Sequence, residues 1–530
     1  MIDNLTIGHI LRRNAQQFPR RTAIIFEDRS YTCDAYNRRV NRAAHSLAGI
    51  GLGFAEHVAI LGENSVEYFE VDHACAKLGA VFCTVNWRLA PAEISFIITD
   101  VDARILLLEA AFQDKVAEFR EDLGDITIVV YGGPVTLENA YDYEQLLAAA
   151  SEDEPDVEVG SEDEAVIMYT SGTTGLPKGA VLTHGGICWD AVSYLTYVRP
   201  KLPDSFLLAM PMNHIAGLHI QATAFLIRAL PIVISRSFSP QEACRLIAKH
   251  RISHATILIT PLQMLMQYDG RKEYDLSSLR FVLTAAAKYT TSFAAHAMEE
   301  LELDTMLFAY GLTEASALVA VTEFTGQMLT HENTLGRPVW YDDVRVVGPD
   351  DQDVEPGQVG ELVVRGPNVF KGYYKRPEAN AEMLRNGWLH TGDLVYSENE
   401  FLFFADRVKD MVKTGGLNVY SLEVEVGLMN ANPALAEVSV VGTPSDEWGE
   451  AVTAFVVVAP GQETTEEEII SSARHHLAGF KLPKRIHFVE DLPKNVSGKV
   501  LKTRLRELAT TLPTSEVHQG VSDGVSPSDS

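Results

Sequence analysis

Residues 165–179 read AVIMYTSGTTGLPKG, and the reading of this stretch decides the fold. The apolar run 165–168 has the texture of a strand buried on both faces. The residues after it carry glycines at 172, 175 and 179, aliphatic hydroxyls at Thr170, Ser171, Thr173 and Thr174, and a lysine at 178. A plain surface linker is one reading of that composition. A cradle for a polyphosphate is the other. Gly172, Gly175 and Gly179 let backbone N–H groups turn toward a ligand with no Cβ in the way. The hydroxyls add donors for phosphate oxygens, and Lys178 adds a compact positive charge. The G-x-x-x-x-G-K-[ST] order of a Walker A loop fails, because Gly179 follows Lys178.

Outward from this stretch, short apolar runs alternate with helical patterns. HVAIL (57–61), RILLL (104–108), ITIVVY (126–131), PIVIS (231–235), ATILI (255–259) and RFVLTA (280–285) read as strands, and YNRRVNRAAHSLAGI (36–50) reads as a helix. The alternation predicts an α/β fold with largely buried strands. SEDEPDVEVGSEDE (151–164) has eight carboxylates and one proline, and reads as a solvated connector between two lobes. From about residue 335 the texture becomes β-rich, as in VRVVGPDDQ and GQVGELVVRGP. A second boundary falls at 406, where DRVKDMVKTGG is charged and glycine-containing. Beyond it, AEVSVVG, AVTAFVVVA and IHFVE with helical EEEIISSARHHLA (466–478) make a small α+β domain. The expected domains are therefore 1–405 and 406–510, with a disordered tail at 511–530.

The chain has 530 residues, too many for one ordinary core. Lys and Arg number 44 against 72 Asp and Glu, a formal net charge of -28. Such a surface repels nucleic acid and anionic lipid, so neither is an expected partner. An anionic ligand must be drawn in by a local positive site. No apolar stretch reaches about 18 residues, so no membrane span is expected. The N-terminus lacks the apolar core of a signal peptide. The five cysteines are scattered, which predicts reduced thiols and a cytoplasmic location.

Four more segments carry chemistry. AYGLTE (309–314) offers Tyr310 to stack on a base, Thr313 to bond a phosphate and Glu314 to hold a magnesium ion, or it is an ordinary helix start. WLHTGD (388–393) offers Asp393 to a ribose diol, or is a turn. DRVKDMVKTGGLNVYSLEVE (406–425) places Arg407 and Lys409 at the domain boundary. PKNVSGKVLK (493–502) presents Lys499 on a glycine-tipped loop.

In this order and spacing, the five elements resemble the adenylate-forming superfamily of acyl- and aryl-CoA synthetases, peptide-synthetase adenylation domains and luciferases. The resemblance runs from about residue 8 to 506. It implies a large N-terminal domain of two α/β-sheets plus a distorted β-barrel, and a small mobile α+β C-terminal domain. It implies an acid–thiol ligase that uses ATP, Mg²⁺ and coenzyme A and passes through an acyl-AMP with release of pyrophosphate. Thr170–Lys178 would embrace the ATP phosphates, with Thr170 and Glu314 at the metal. Ala309, Tyr310 and Gly311 would pack on adenine, and Asp393 with Arg407 would take the ribose.

The same resemblance makes Lys499 the bridge between carboxylate and α-phosphate, with Thr313 and Glu314 beside it, and Lys409 the hinge. Gly415 and Gly416 would flank the CoA thiol. His214, in PMNHIAG (211–217), would gate an acyl pocket lined by Ala285 and Ala286; a hydrogen-bonded core histidine is the bland alternative, and His219 is weaker still. The family's glycine–alanine–proline stretch is TAAAKYT here, with Ala285 and Lys288 in place of Gly and Pro. In NVYSLEVE, Ser421 replaces a common proline and is expected to cap a helix. An acceptor other than CoA, either an amine or a carrier-protein thiol, is the enzymatic alternative, and a non-catalytic nucleotide or acyl sensor is the other class. The acid, the acceptor and a homodimer are left open by the sequence.

Overall fold

A computed structural model describes residues 5–170, 177–285, 290–324, 334–494 and 500–511. The chain divides into two compact units. The first comprises Met1–Arg345, Val363–Thr391 and Ser397–Phe403; the second comprises Val346–Leu362, Gly392–Tyr396 and Phe404–Ser530.

The first unit contains an eight-stranded sheet in the order Gly372–Tyr373, Lys178–Thr183, Glu164–Thr170, Val81–Val85, His57–Leu61, Ala103–Glu109, Thr127–Tyr131, Tyr141–Asp142. Its centre is parallel. Every residue of His57–Leu61 and of Val81–Val85 is buried, which explains why the first of them reads as a short apolar run. The connecting helix Val66–Leu78 is buried along its whole length, so it lacks the polar stripe of a surface helix. It ends at Gly79 with φ +64°, where a Cβ would lie 2.3 Å from the Phe54 ring.

A second sheet of the same unit has parallel strands Ile232–Ile234, Phe206–Leu208, His254–Thr256, Phe281–Ala285 and Thr305–Tyr310. The antiparallel strands Ala320–Phe324 and Thr334–Pro338 continue it. The core beside it gathers Leu207, Val282, Met306 and Phe308 with the helix residues Cys244, Ile247 and Ala297. The segment ATILI departs from its strand reading. Only His254–Thr256 is strand, and Ile259 opens the helix Ile259–Gln267. Pro261 lies in the first turn of that helix, where its missing N–H costs nothing.

The acidic connector is not simply solvated. Glu154 accepts from Asn37 Nδ2 at 2.5 Å and from Lys77 Nζ at 2.7 Å, and Arg42 pairs with Glu152 at 2.6 Å. Its charges answer cations on the Cys33–Gly49 and Val66–Leu78 helices, a match that a linear charge count does not reveal.

The second unit holds a sheet of Leu417–Val419, Val412–Thr414, Gly449–Val458, Leu435–Ser445 and Arg485–Phe488. Helices Ser421–Ala431 and Glu466–Ala473 pack on it through Val424, Leu428, Ile469 and Ile470. Thr465 and Glu468 form a reciprocal capping box at the start of Glu466–Ala473, which stops short of the expected 478. Ser421 is not the cap of its helix: Tyr420 holds that position, and the Ser421 hydroxyl donates to Asp406 Oδ1 at 3.0 Å. Residues 512–530 of the expected tail lie outside the described residues. Among the described residues, no helix is long and apolar enough to cross a membrane.

Candidate active site

Residues 165–170 and 178–179 belong to two neighbouring strands of the first sheet. Strands Glu164–Thr170 and Lys178–Thr183 pair antiparallel, with Thr170 opposite Lys178, so hydroxyl and lysine stand at one end of the hairpin. Thr170 Oγ1 donates to the Lys178 carbonyl at 3.4 Å, leaving its own lone pairs available. Ser171, Gly172, Thr173, Thr174 and Gly175 lie outside the described residues, as do Ala286, Lys288 and Lys499.

Glu314 arrives from the second sheet. It lies in a short turn, Thr313–Ala315, just beyond the strand Thr305–Tyr310, and is 8% exposed. Glu314 Oε1 accepts from the Tyr373 hydroxyl at 2.5 Å, and the Lys178 ammonium sits 5.4 Å from the centre of the same Tyr373 ring. Tyr373 therefore joins Lys178 to Glu314. Burial, then the Glu314 charge, raises its phenol above the ordinary tyrosine range, so the hydroxyl stays a donor. The sequence reading missed Tyr373; KGYYKRP has two tyrosines and no pattern that says which one reaches residue 314.

Between strand and glutamate the backbone is tightly folded. A Cβ on Gly311 would lie 1.5 Å from the Ala317 carbonyl oxygen, so only glycine lets the chain cross itself here. Ser316 and Ala317 take φ of +54° and +123°, backbone strain of the kind that gathers at functional sites. Ala285 and Ala309 are paired at the carboxyl ends of adjacent parallel strands, one residue before the half-buried Tyr310. Ligands of α/β sheets commonly sit beyond the carboxyl ends of the strands, where these two small side chains lie.

His214 follows a tight turn in which its N–H bonds to the Pro211 carbonyl at 3.2 Å. The side chain is exposed, so the bland alternative of a core histidine does not describe it. Desolvation by surrounding protein, first, and the Arg88 cation, second, lower its imidazole below the ordinary value. His219, by contrast, is 2% exposed and bonds Thr223 Oγ1 at 3.2 Å. It is the core histidine of the pair.

Three predicted residues gather in the second unit. Arg407 Nε lies 3.0 Å from Asp393 Oδ1, and the Val408 N–H bonds the Gly392 carbonyl at 2.9 Å. The exposed Lys409 sits in the turn that follows. The Lys409 carbonyl accepts from Arg506 Nη2 at 3.1 Å, and Asp410 accepts from the same guanidinium at 3.0 Å. Gly415 and Gly416, with φ of +56° and +78°, form the two-residue tip of the Val412–Val419 hairpin, a turn that demands positive φ at both positions. Trp448 lies beside this tip: its carbonyl accepts from the Gly415 N–H at 2.8 Å, and Lys484 Nζ stands 5.1 Å over its ring. Sequence reasoning passed over Trp448 because one tryptophan in a turn carries no periodic signal.

Comparison with known proteins adds the deciding observation. The sequence model for AMP-binding enzymes matches residues 11–374, and that for the AMP-binding enzyme C-terminal domain matches residues 423–499. The chain belongs to the AMP-binding enzyme family. Within that family it is 34% identical over 504 residues to feruloyl-CoA synthase of an Amycolatopsis species, covering 95% of this chain and 99% of that one. It is 34% identical over 507 residues to a fatty acid–[acyl-carrier-protein] ligase of Streptomyces coeruleorubidus, covering 93% and 94%. Among solved structures, ATP-bound MatB from Rhodopseudomonas palustris matches with a TM-score of 0.85 at 29% identity, over 95% of this chain and 99% of that one. This AMP-binding enzyme is thus an adenylate-forming α/β protein with a large N-terminal region and a smaller C-terminal one.

Proposed function

We infer that this AMP-binding enzyme is an ATP-dependent carboxylic acid–CoA ligase, forming an acyl-AMP with release of pyrophosphate and then a thioester. One observation carries the reading: Thr170, Lys178 and Glu314, from two sheets, converge through Tyr373 in one unit. Glu314 fits a magnesium ion, since it is a buried carboxylate with one oxygen taken by Tyr373 and lone pairs left on the other. Thr170 would share that ion through its hydroxyl. Bound there, magnesium supplies charge neutralisation of the pyrophosphate leaving group.

The chain's own residues do the rest. Lys178 holds the terminal phosphates by charge, while Tyr373 keeps Glu314 aimed. Ala309, Tyr310 and Gly311 give adenine a flat seat, with Thr313 beside the phosphates. Asp393 takes the ribose diol, with Arg407 at its side. Lys499 would bridge the carboxylate and the α-phosphate, and a cation at the developing charge is worth about 3 kcal/mol of barrier. His214, Ala285 and Ala286 shape the acid site. For the second step, the Gly415–Gly416 tip approaches the thiol, Trp448 and Lys484 present a ring face and a cation to the nucleotide part of CoA, and Lys409 is the hinge. Positioning carries most of the catalysis.

A carrier-protein thiol as acceptor is the second reading, favoured by the 34% identity to a fatty acid–[acyl-carrier-protein] ligase. Pyrophosphate release from ferulate, indole-3-acetate and hexadecanoate, followed by product analysis with CoA and with a phosphopantetheinylated carrier protein, separates the two. An acyl-CoA product supports the first reading. Thioester on the carrier alone replaces it with the second.

A further inference from the structure

Asn64 lies in the loop between the strand His57–Leu61 and the helix Val66–Leu78, and is 5% exposed. Its amide bonds the segments that follow two strands of the other sheet, Phe206–Leu208 and Ile232–Ile234. Nδ2 donates to the Met210 carbonyl at 2.8 Å and to the Ser235 carbonyl at 3.0 Å, and Oδ1 accepts from the Met212 N–H at 2.8 Å. Only one amide orientation satisfies two carbonyls and one N–H, so the side chain is locked. Its neighbour Ser65 fixes the loop from the other side, accepting from the Tyr68 N–H at 3.1 Å as the helix cap. A second brace comes from Thr84, 3% exposed, whose Oγ1 donates to the Asn213 carbonyl at 3.3 Å.

The bonds to Met212 and Asn213 end two residues and one residue before His214. The segment around His214 is closely packed on itself. A Cβ on Gly217 would lie 2.1 Å from the Pro211 carbonyl oxygen, and Leu218 N–H bonds the His214 carbonyl at 2.9 Å. A shift of Met212 is therefore passed on to the histidine rather than absorbed. We propose that Asn64 is a positioning residue for the carboxylic-acid site: acting through the Met210 and Met212 backbone, with Thr84 assisting at Asn213, it sets where His214 stands. The inference rests on the reading of His214 as an acid-site residue.

The test is a double-mutant cycle with Asn64→Ala and His214→Ala, using whichever of ferulate or hexadecanoate releases pyrophosphate faster. Asn64→Ala is expected to raise the KM for the acid about tenfold, since small misplacements cost rate steeply, and to leave the KM for ATP within about twofold. The double variant is expected to be no worse than the poorer single one, because both changes act through one segment. Thr84→Val, a milder cut, should move the acid KM in the same direction. Without any acid, hydrogen exchange in Asn64→Ala should quicken across residues 210–218. Additive effects, or an acid KM unchanged in Asn64→Ala while His214→Ala raises it, overturn the proposal. An acid KM unchanged in His214→Ala removes the acid-site reading itself. A loss of kcat with both KM values kept reduces Asn64 to general stability and likewise overturns the proposal.

Discussion

Glu314 is the residue on which the metal assignment turns, and Tyr373 is its only described hydrogen-bond donor from a side chain. Tyr373→Phe removes a bond to a charged group, worth about 1.5–3 kcal/mol. Pyrophosphate–ATP exchange should fall about tenfold or more, with the apparent magnesium requirement raised. Unchanged magnesium dependence would separate the two residues. Lys499→Ala should cost the adenylation step at least about a hundredfold while sparing thioester formation from supplied acyl-AMP; equal loss in both contradicts its role. A third test is thermodynamic. His184 is fully buried, and desolvation lowers it to about 4. The unfolded chain binds that proton first, so this residue's share of stability falls with pH from about 6.5 down to about 4. His184→Gln should therefore gain on the parent protein by up to about 1.4 kcal/mol per pH unit across that window in denaturant titrations. A pH-independent difference would contradict it. At this scale the sequence nominates residues whose type is chemically singular, as at Thr170, Lys178, Glu314 and Asp393. It was silent on Tyr373, 59 positions from its partner, and on Asn64, whose amide bonds go to three backbone groups distant in sequence.

Elements show the same division. Fully buried strands such as His57–Leu61 announce themselves because both faces are apolar. The run at 255–259 does not, since a short apolar stretch fits a strand end and a helix start equally well, and Pro261 decides in favour of the helix. The Ser421 substitution preserved its helix by a route that spacing could not reveal, a bond to Asp406 in place of a cap. Turns carry the sharpest prediction. Gly311→Ala puts a methyl 1.5 Å from a backbone oxygen, so the 311–317 crossing must open. Adenylation should drop by more than about tenfold, the scale of a misaligned reacting group, while a far-ultraviolet spectrum stays native. A fully active variant would show that the crossing does not hold Glu314.

The whole molecule sets a paradox of charge. A chain of formal net charge -28 binds, on this account, a nucleotide triphosphate and an organic anion. On the proposed assignment local cations resolve it: Lys178 for the terminal phosphates, Arg407 beside the ribose and Lys499 for the two reacting anions. The α/β alternation and the change of texture near residue 335 were legible from hydropathy alone. The pinning of the acidic connector by Lys77 and Arg42 was not, because ion pairing depends on which helices lie beside it. Lys409→Pro, which restricts φ at the proposed hinge, should slow thioester formation far more than adenylation; equal slowing removes the hinge. The most direct measurement of the central claim is acid-dependent exchange of labelled pyrophosphate into ATP at millimolar magnesium, across aromatic and aliphatic acids. The account predicts exchange with at least one acid and its loss in Glu314→Gln. Exchange that is absent with every acid, or that persists undiminished in Glu314→Gln, would contradict it.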